Sequence, residues 1–318
     1  MANAKKRLPL TVIGGFLGAG KTTLLNRWLR EANGLRMAVL VNDFGALNID
    51  ADLIAATHGD TTALTNGCVC CQIGDDLGRA LVEVIEAQTP FDAVVIEASG
   101  VSDPWRIAQI GMAAPELSLE GVVVLVDASA VAQQANDPLL ADTLARQVKS
   151  ADLVVINKVD LVDAETLAGA KAWVETTAPG TPCIETIESA VPLALLSGVS
   201  HAEAAPHVCG PGCRGDHHPH DQASPDHGAL FQTWSAQPGA VIAAATLRAW
   251  LREMPPGVLR LKGVLRTGPD EWSEVQFAGR HGSLRKASPP AGDAHAGVVA
   301  IGLRGRLPES ALREFFSP

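Results

Sequence analysis

The sequence predicts a doubly wound α/β domain with a mostly parallel sheet, followed by a smaller α+β domain. Over residues 8–199, short runs rich in Val, Ile and Leu recur without alternating polar positions, which is typical of strands buried on both faces. Stretches with helical periodicity separate these runs, as in successive βαβ units. After residue 199 the composition changes, and a second set of strands and helices begins near residue 229.

The elements of the first domain, predicted to span residues 1–199, follow one another in a regular order. The predicted strands are LTVIGG, MAVLVN, DAVVIEASG, GVVVLVDA and DLVVINK. The predicted helices are TTLLNRWLREA, DLGRALVEVIEA and ADTLARQVKS. Because these elements are short and alternate along the chain, they indicate one sheet covered by helices.

A linker and a second domain complete the predicted organisation. Residues 200–228 are rich in Pro, Gly, Ala and His and have no apolar period, which is typical of a linker. Residues 229–318 carry the strands ALFQTWSA, GVLRLKGVL, EWSEVQF and GVVAIGL, with helices at TLRAWLREM and PESALREFF. Arg260 and Lys262 belong to a basic strand that we expect to face either the first domain or a client protein.

Composition excludes several classes of function. The net charge of −10 has the wrong sign for holding a nucleic acid. No apolar run reaches the roughly 18 residues that a membrane span needs, so we expect a cytoplasmic protein without membrane attachment. Three of the six cysteines fall within four residues, which is too close for ordinary disulfide pairing and favours metal or redox chemistry.

A phosphate-binding loop is predicted at residues 15–22, GFLGAGKT, which fit G-x-x-x-x-G-K-[ST] between a strand and a helix. Glycines allow the backbone N–H groups and the helix N-terminus to face the phosphates. Lys21 would contact the β and γ oxygens, and the Thr22 hydroxyl would bind Mg²⁺. The residues expected to contact the nucleotide here are Gly15, Gly18, Ala19, Gly20, Lys21, Thr22 and Thr23.

Two later motifs extend the predicted nucleotide site. Glu97 ends the strand of VVIEASG, where a carboxylate can hold the Mg²⁺ shell or orient a water. Asn157, Lys158 and Asp160 belong to NKVD after the strand DLVVI. The Asp160 carboxylate can accept both the ring N–H and the exocyclic amine of guanine, the Lys158 stem can pack over the base, and Asn157 can tie this loop to the phosphate loop. These motifs therefore predict GTP rather than ATP.

A cysteine motif lies between the second strand and the acidic strand. Cys68, Cys70 and Cys71 in TNGCVCC can converge on one soft cation, and thiolates bind Zn²⁺ well once they are deprotonated. Three protein ligands leave the fourth position open, which suits transfer of a metal better than a permanent structural zinc. Buried structural cysteines and a thiol redox pair are the alternative interpretations.

These motifs together resemble the CobW family of metallochaperone GTPases, which are relatives of the urease and hydrogenase nickel-insertion GTPases. The resemblance rests on GGFLGAGKTTLLN, VNDFGALNID, TNGCVCC, IEASGVSDP and NKVDL, in that order. It implies GTP hydrolysis coupled to delivery of Zn²⁺ or cobalt to a client metalloprotein. The chain departs from the family at Asp43, where the family has Glu, and at Ala98 and Ser99, where the family has two threonines.

The positions of the motifs suggest a mechanism. Lys21 and Mg²⁺ would stabilise charge on the transferred phosphoryl group, and Asp43 or Glu97 would place the water. Asp43 is also a candidate metal ligand. The loop around Asp43 and the cysteine motif lie between the phosphate loop and Glu97, where GTPases place segments that respond to the γ-phosphate. We therefore expect nucleotide state to control the metal site.

The predicted linker is a second candidate metal site. Its imidazoles and thiols could collect Zn²⁺, Ni²⁺ or Co²⁺ loosely, although a low-complexity spacer is the alternative interpretation. The candidate ligands are His207, Cys209, Cys213, His217, His218 and His220.

Two other functions remain open at this point. One is an activator that inserts cobalt or iron into a single enzyme, such as a nitrile hydratase or an enzyme of cobalamin synthesis. The other is a storage or buffering protein, which would bind several metals per chain with little effect of nucleotide. No arginine finger can be named, which leaves a partner protein or a second copy in a homodimer as the candidate source of such a group.

Overall fold

The computed structural model describes residues 7–32, 34–42, 68–70, 75–193, 231–278, 281–289 and 297–316. The first domain contains a sheet of seven strands, all paired in parallel, in the order β3-β2-β4-β1-β5-β6-β7. The strands are β1 (Leu8–Gly15), β2 (Met37–Asn42), β3 (Cys68–Cys70), β4 (Ala93–Ala98), β5 (Leu117–Asp127), β6 (Leu153–Asn157) and β7 (Cys183–Thr186).

Helices cover both faces of this sheet. They are α1 (Lys21–Glu31), α2 (Asp75–Ile85), α3 (Pro104–Ala113), α4 (Val131–Asn136), α5 (Ala141–Lys149) and α6 (Ala164–Thr177), with a short 3₁₀ helix at Val159–Leu161. Leu24, Leu25 and Trp28 of α1 are fully buried in the apolar core on one face. Residues of α2 to α6 pack in a separate core on the other face. Among the described residues, no helix is long and apolar enough to cross a bilayer.

The second domain is an antiparallel sheet with two helices. Its strands are β8 (Phe231–Ala236), β9 (Val258–Arg266), β10 (Trp272–Ala278), β11 (His281–Ala287) and β12 (Gly297–Leu303), in the order β11-β10-β9-β12-β8. Helices α7 (Ala244–Arg252) and α8 (Glu309–Phe316) supply Leu247 and Phe316 to its apolar core, where both side chains are fully buried. The predicted fold class is therefore confirmed.

The boundaries of the domains remain predictions. The two sheets occupy Leu8–Thr186 and Phe231–Leu303, which agrees with the predicted division into residues 1–199 and 229–318. The predicted linker, residues 200–228, lies outside the described residues.

A buried ion pair joins the two domains. In β5, Glu120 is the extra residue of a β-bulge, because Leu119 pairs with Leu10 and Gly121 pairs with Thr11. The Glu120 carboxylate accepts a hydrogen bond from the Arg260 guanidinium of β9, and both side chains are almost fully buried. Lys262 Nζ lies 4.0 Å from the other Glu120 oxygen. The basic strand predicted from LRLKG thus faces the first domain.

Candidate functional site

All seven strands of the first sheet end at the same edge, because they run parallel. Gly15, Glu97, Asp127 and Asn157 lie at or beside the carboxyl ends of their strands. The register confirms this arrangement, since Ile13 pairs with Glu97 and Asp127 pairs with Asn157. Ligands of open α/β sheets bind beyond this edge, and the predicted nucleotide residues therefore meet where a ligand is expected.

The phosphate loop connects β1 to α1 and requires glycine at two positions. Gly15 has a φ of 133°, and a Cβ atom there would lie 2.5 Å from the Leu125 carbonyl oxygen. Gly20 has a φ of 107°, and a Cβ atom there would lie 2.5 Å from Asn157 Nδ2. A side chain at either position would be strained and would also collide with its neighbours. The glycines of the motif are therefore explained by the fold as well as by phosphate binding.

Lys21, Thr22 and Glu97 form the polar group beside this loop. Lys21 is buried, and its Nζ donates a hydrogen bond to the Phe16 carbonyl oxygen across the loop, at 3.2 Å. Thr22 Oγ1 donates to Glu97 Oε1 at 3.3 Å, and Glu97 is only 3% exposed. Mg²⁺ in proteins is bound by oxygen atoms, and the Thr22 hydroxyl and the Glu97 carboxylate lie close enough together to bind the same ion. The two residues therefore fit this cation. Nearby, Ala19 is buried and Thr23 is exposed.

Asn157 connects the loop after β6 to the phosphate loop. Its Nδ2 donates to the Ala19 carbonyl oxygen and to Ser189 Oγ, each at 2.9 Å. Its Oδ1 accepts from the Ser189 backbone N–H at 2.8 Å and from Thr186 Oγ1 at 3.2 Å. The side chain is 2% exposed and its amide uses both its donor and acceptor capacity. The structure therefore contains the connection that the sequence predicted.

Lys158 is held by a carboxylate that the sequence analysis did not include. Its φ is 63°, and its Nζ lies 2.5 Å from Asp127 Oδ2 at the end of β5. Partial burial raises the pKa of Asp127, but hydrogen bonds from Lys158 and Ser129 outweigh this effect and leave the pKa below its ordinary value. Asp160 follows in the 3₁₀ helix, and its side chain is exposed beside the site.

Ser189 is a second residue that the sequence analysis missed. It is fully buried with a φ of 53°, and its Oγ donates to the Gly20 carbonyl oxygen at 3.0 Å. Ser189 follows β7, which the sequence analysis did not predict. A polar residue shortly after a strand, at the carboxyl edge of the sheet, is a signal for a site residue. This signal could not be used for Ser189, because it requires that β7 be predicted first.

The cysteine motif lies on the same sheet as the nucleotide site. Cys68 and Cys70 begin and end β3, whose backbone pairs with β2. Within β2, Val41 pairs with Cys70 on one side and with Glu97 of β4 on the other. Neighbouring strands lie about 4.8 Å apart, so the Cys70 and Glu97 backbones are separated by roughly 10 Å.

Several predicted metal ligands lie in parts of the chain that the structure does not describe. Asp43, Cys71 and the candidate ligands of the linker lie outside the described residues; those of the linker are His207, Cys209, Cys213, His217, His218 and His220. Within the described ranges, no group of three His, Cys, Asp or Glu side chains is placed to hold a metal ion. These ligands therefore stay predictions.

Comparisons with known proteins find relatives of this chain. A relative described as the zinc chaperone CobW of Pseudomonas aeruginosa is 33% identical over 292 residues, covering 81% of this chain and 76% of the relative. The zinc-regulated GTPase metalloprotein activator 1 of Dictyostelium discoideum is 32% identical over 228 residues, covering 59% of this chain and 47% of the relative. The structure of the Zn(II)-bound YjiA GTPase from E. coli aligns over 98% of both chains, with 25% identity and a TM-score of 0.47.

Two family models match the chain. The model of the cobalamin synthesis protein cobW C-terminal domain matches residues 231–317. The model of the CobW/HypB/UreG nucleotide-binding domain matches residues 9–185, which include the phosphate loop, Glu97 and Asn157. That match covers more than half of the 318 residues. The chain therefore belongs to the CobW/HypB/UreG family of P-loop GTPases.

Proposed function

We propose that this protein is a GTP-dependent zinc chaperone. It binds GTP with Mg²⁺ at the carboxyl edge of the parallel sheet, hydrolyses the GTP, and holds Zn²⁺ at Cys68, Cys70 and Cys71 for transfer to a client metalloprotein. Two relatives are described as a zinc chaperone and as a zinc-regulated GTPase metalloprotein activator. The same thiolates also accept Co²⁺ and Ni²⁺, with affinities that follow the Irving–Williams order.

One observation carries the coupling between the two sites. Val41 of β2 pairs with both Cys70 and Glu97, and this pairing supports a cysteine motif near the proposed Mg²⁺ ligands. Both segments end at the edge where the γ-phosphate would lie. A segment in that position can hold one arrangement with GTP and another after hydrolysis. Hydrolysis of GTP would thereby change the affinity of the cysteine motif for the metal that is delivered.

The residues of the site have distinct roles in hydrolysis. Lys21 exchanges its hydrogen bond with the Phe16 carbonyl for the β and γ oxygens, while the backbone N–H groups from Gly15 to Thr22 hold the phosphates. Thr22 and Glu97 would hold Mg²⁺, which would supply positive charge beside the phosphates. We assign the placing of the attacking water to Asp43 or Glu97.

The loop after β6 would select guanine over adenine. Asp160 is exposed beside the nucleotide site and would accept two hydrogen bonds from guanine, whereas adenine offers no matching pair of donors. The ion pair with Asp127 holds Lys158 at the end of β6, where its stem can cover the base. Hydrogen bonds to a charged group contribute about 1.5–3 kcal/mol each, so the preference for GTP should be large.

Competition between nucleotides tests this function. A fluorescent GTP analogue bound to the protein should be displaced by GTP at a concentration at least about tenfold below that required for ATP, equivalent to about 1.4 kcal/mol. Asp160→Asn should weaken GTP binding by a similar factor or more, and phosphate release from GTP should fall with it. Asp142→Asn is the matched control, because Asp142 is exposed and pairs with Arg146 of its own helix. Equal displacement by ATP and GTP would contradict the proposal.

A further inference from the structure

A large cavity separates the second domain from one edge of the first. Its volume is about 1290 Å³. One wall consists of residues of α6, β7 and the turn between them. The other consists of residues of the end of α7, the turn before β9, the start of β9, β10 and residues 303–306. None of the residues of the phosphate loop or of NKVD lines it. The volume exceeds the roughly 300–1,000 Å³ that is usual for small-molecule sites, so it suits a polypeptide segment better than a metabolite.

The first wall contains the open edge of the parallel sheet. In the part of the sheet that the structure describes, β7 is the terminal strand and pairs only with β6. The Val154 backbone N–H donates to the Pro182 carbonyl oxygen at 2.9 Å, and Val154 pairs with Cys183. In a parallel ladder this arrangement turns the backbone N–H and C=O groups of Cys183 and Glu185 away from β6. Both residues line the cavity, so these groups can pair with an added strand.

The charge of the cavity is opposite to the charge of the whole chain. Its cationic lining residues are Lys171, Arg252, Arg304 and Arg306. The acidic lining residues, Glu175 and Glu185, already accept hydrogen bonds from the Gly180 N–H at 3.3 Å and from Lys171 Nζ at 2.5 Å. The three arginines are exposed, in a protein whose net charge is −10. A bound segment with carboxylates would therefore be attracted here and repelled by much of the remaining surface.

The second wall also supplies an apolar surface. Leu251, Met254, Phe277 and Leu303 line the cavity opposite β7. The second wall therefore offers an added strand both apolar contacts and cationic side chains. Cys183 does not supply a thiolate to this cavity. Burial and, to a smaller extent, the negative charge of Glu185 raise the pKa of its thiol to about 12, so the thiol stays neutral.

We propose that this cavity docks an acidic, extended segment of a partner protein, which adds as a strand to the outer edge of β7. The backbone groups of Cys183 and Glu185 pair with the segment, Arg252 and Arg306 bind its carboxylates, and the apolar wall takes its alternate side chains. The partner is thus recognised away from the nucleotide site, between the two domains.

A labelled peptide tests the proposal on the full chain. The probe is a fluorescein-labelled peptide of about eight residues, an ordinary strand length, in which Val alternates with Glu. Fluorescence anisotropy measures its affinity, and amide hydrogen exchange shows where it binds. We expect binding in the micromolar range and slower exchange of the Cys183 and Glu185 amides. Arg252→Glu combined with Arg306→Glu should weaken binding at least about tenfold.

Four controls distinguish strand addition from general attraction of anions. Arg248→Glu combined with Arg313→Glu makes the same charge change on the same domain outside the cavity lining and should leave the affinity unchanged within about twofold. A peptide with Lys in place of Glu, and one interrupted by Pro, should both fail to bind. The proposal is overturned if the acidic peptide does not bind, if the cavity variant binds it normally, or if an oligonucleotide of equal charge binds equally well.

Discussion

The side-chain amide nitrogen of Asn157 lies 2.9 Å from the carbonyl oxygen of Ala19, and this hydrogen bond joins the loop after β6 to the loop between β1 and α1. The same amide nitrogen donates to Ser189, which in turn donates to the Gly20 carbonyl oxygen. Three segments that are distant in sequence are therefore fixed by one buried side chain. The relative position of the three segments therefore depends on this buried amide.

Asn157→Asp should disrupt the site without changing its shape. The new carboxylate would place an acceptor against the Ala19 carbonyl oxygen, and an unsatisfied buried polar group costs about 1–3 kcal/mol. We expect the affinity for GTP to fall at least about tenfold, together with a lower midpoint of thermal unfolding. Asn136→Asp is the control, because Asn136 also donates to a backbone carbonyl, at 2.8 Å, but is exposed. Equal effects of the two substitutions would show that burial of Asn157 does not matter.

Gly20→Ala should abolish GTP binding, as titrated with the fluorescent analogue. The added methyl group would lie 2.5 Å from Asn157 Nδ2 and 2.6 Å from Ser189 Oγ, in a backbone conformation with a φ of 107°. Gly34→Ala isolates the backbone effect, because Gly34 has a φ of 85° and nothing within 4 Å of the added atom. That control should lose about 1–2 kcal/mol of stability and retain GTP binding. Normal binding by Gly20→Ala would refute the described loop geometry.

The ion pair between Glu120 and Arg260 should show strong coupling in a double-mutant cycle. Removing one partner deprives the other buried charge of its main compensation, so Glu120→Gln and Arg260→Met should each lower the free energy of unfolding by up to about 3–5 kcal/mol. The double variant should lose much less than the sum of the two, as measured by denaturant unfolding. Additive losses would mean that the pair does not hold the domains together.

An exposed pair provides the reference for that cycle. Asp142 and Arg146 lie 2.9 Å apart on the surface of α5, and their coupling should be at most about 1 kcal/mol. The comparison tests whether burial, rather than the distance between the charges, sets the strength of the contact between domains.

Acid should weaken the contribution of Asp127 to stability. The pKa of this carboxyl is lower in the folded protein than its ordinary value of 3.8, so the folded state favours the charged form. The stabilisation is complete above the ordinary pKa and is lost as the pH falls through the lowered one. The stability difference between wild type and Asp127→Asn should therefore shrink with acid, and Lys158→Met should show the same trend. A difference independent of pH would exclude this role for the ion pair.

Much of the fold was predictable because its strands are buried on both faces. Runs such as VVVLV and LVVIN carry no alternation, and the structure places both inside the parallel sheet. β7 was not predicted, since its four residues, CIET, give neither an apolar run nor an alternation that stands out. Helix α6 was also missed, and its only fully buried residues are Ala170 and Val174, which leaves a weak helical period.

Some residues of the nucleotide site could likewise be predicted from the sequence, and others could not. The phosphate loop and Asn157 have recognisable spacing, and the hydrogen bond between them follows from the order of β1, β5 and β6 in the sheet. Asp127 and Ser189 could not be found from the sequence, because each depends on a tertiary contact. Asp127 accepts a hydrogen bond from Lys158, which lies 31 residues away in the sequence. Ser189 donates to the carbonyl of Gly20, which lies 169 residues away.

The most direct test of the account is the dependence of zinc affinity on nucleotide state. Chelator competition should give one tight Zn²⁺ per chain, with an affinity that differs at least about fivefold between a non-hydrolysable GTP analogue and GDP, because coupling between sites is typically 1–3 kcal/mol. Replacing Cys68, Cys70 and Cys71 by Ser should remove the tight site, whereas Cys183→Ser, which changes a half-buried neutral thiol, should retain it. The same zinc affinity with the GTP analogue, with GDP and without nucleotide would contradict the account.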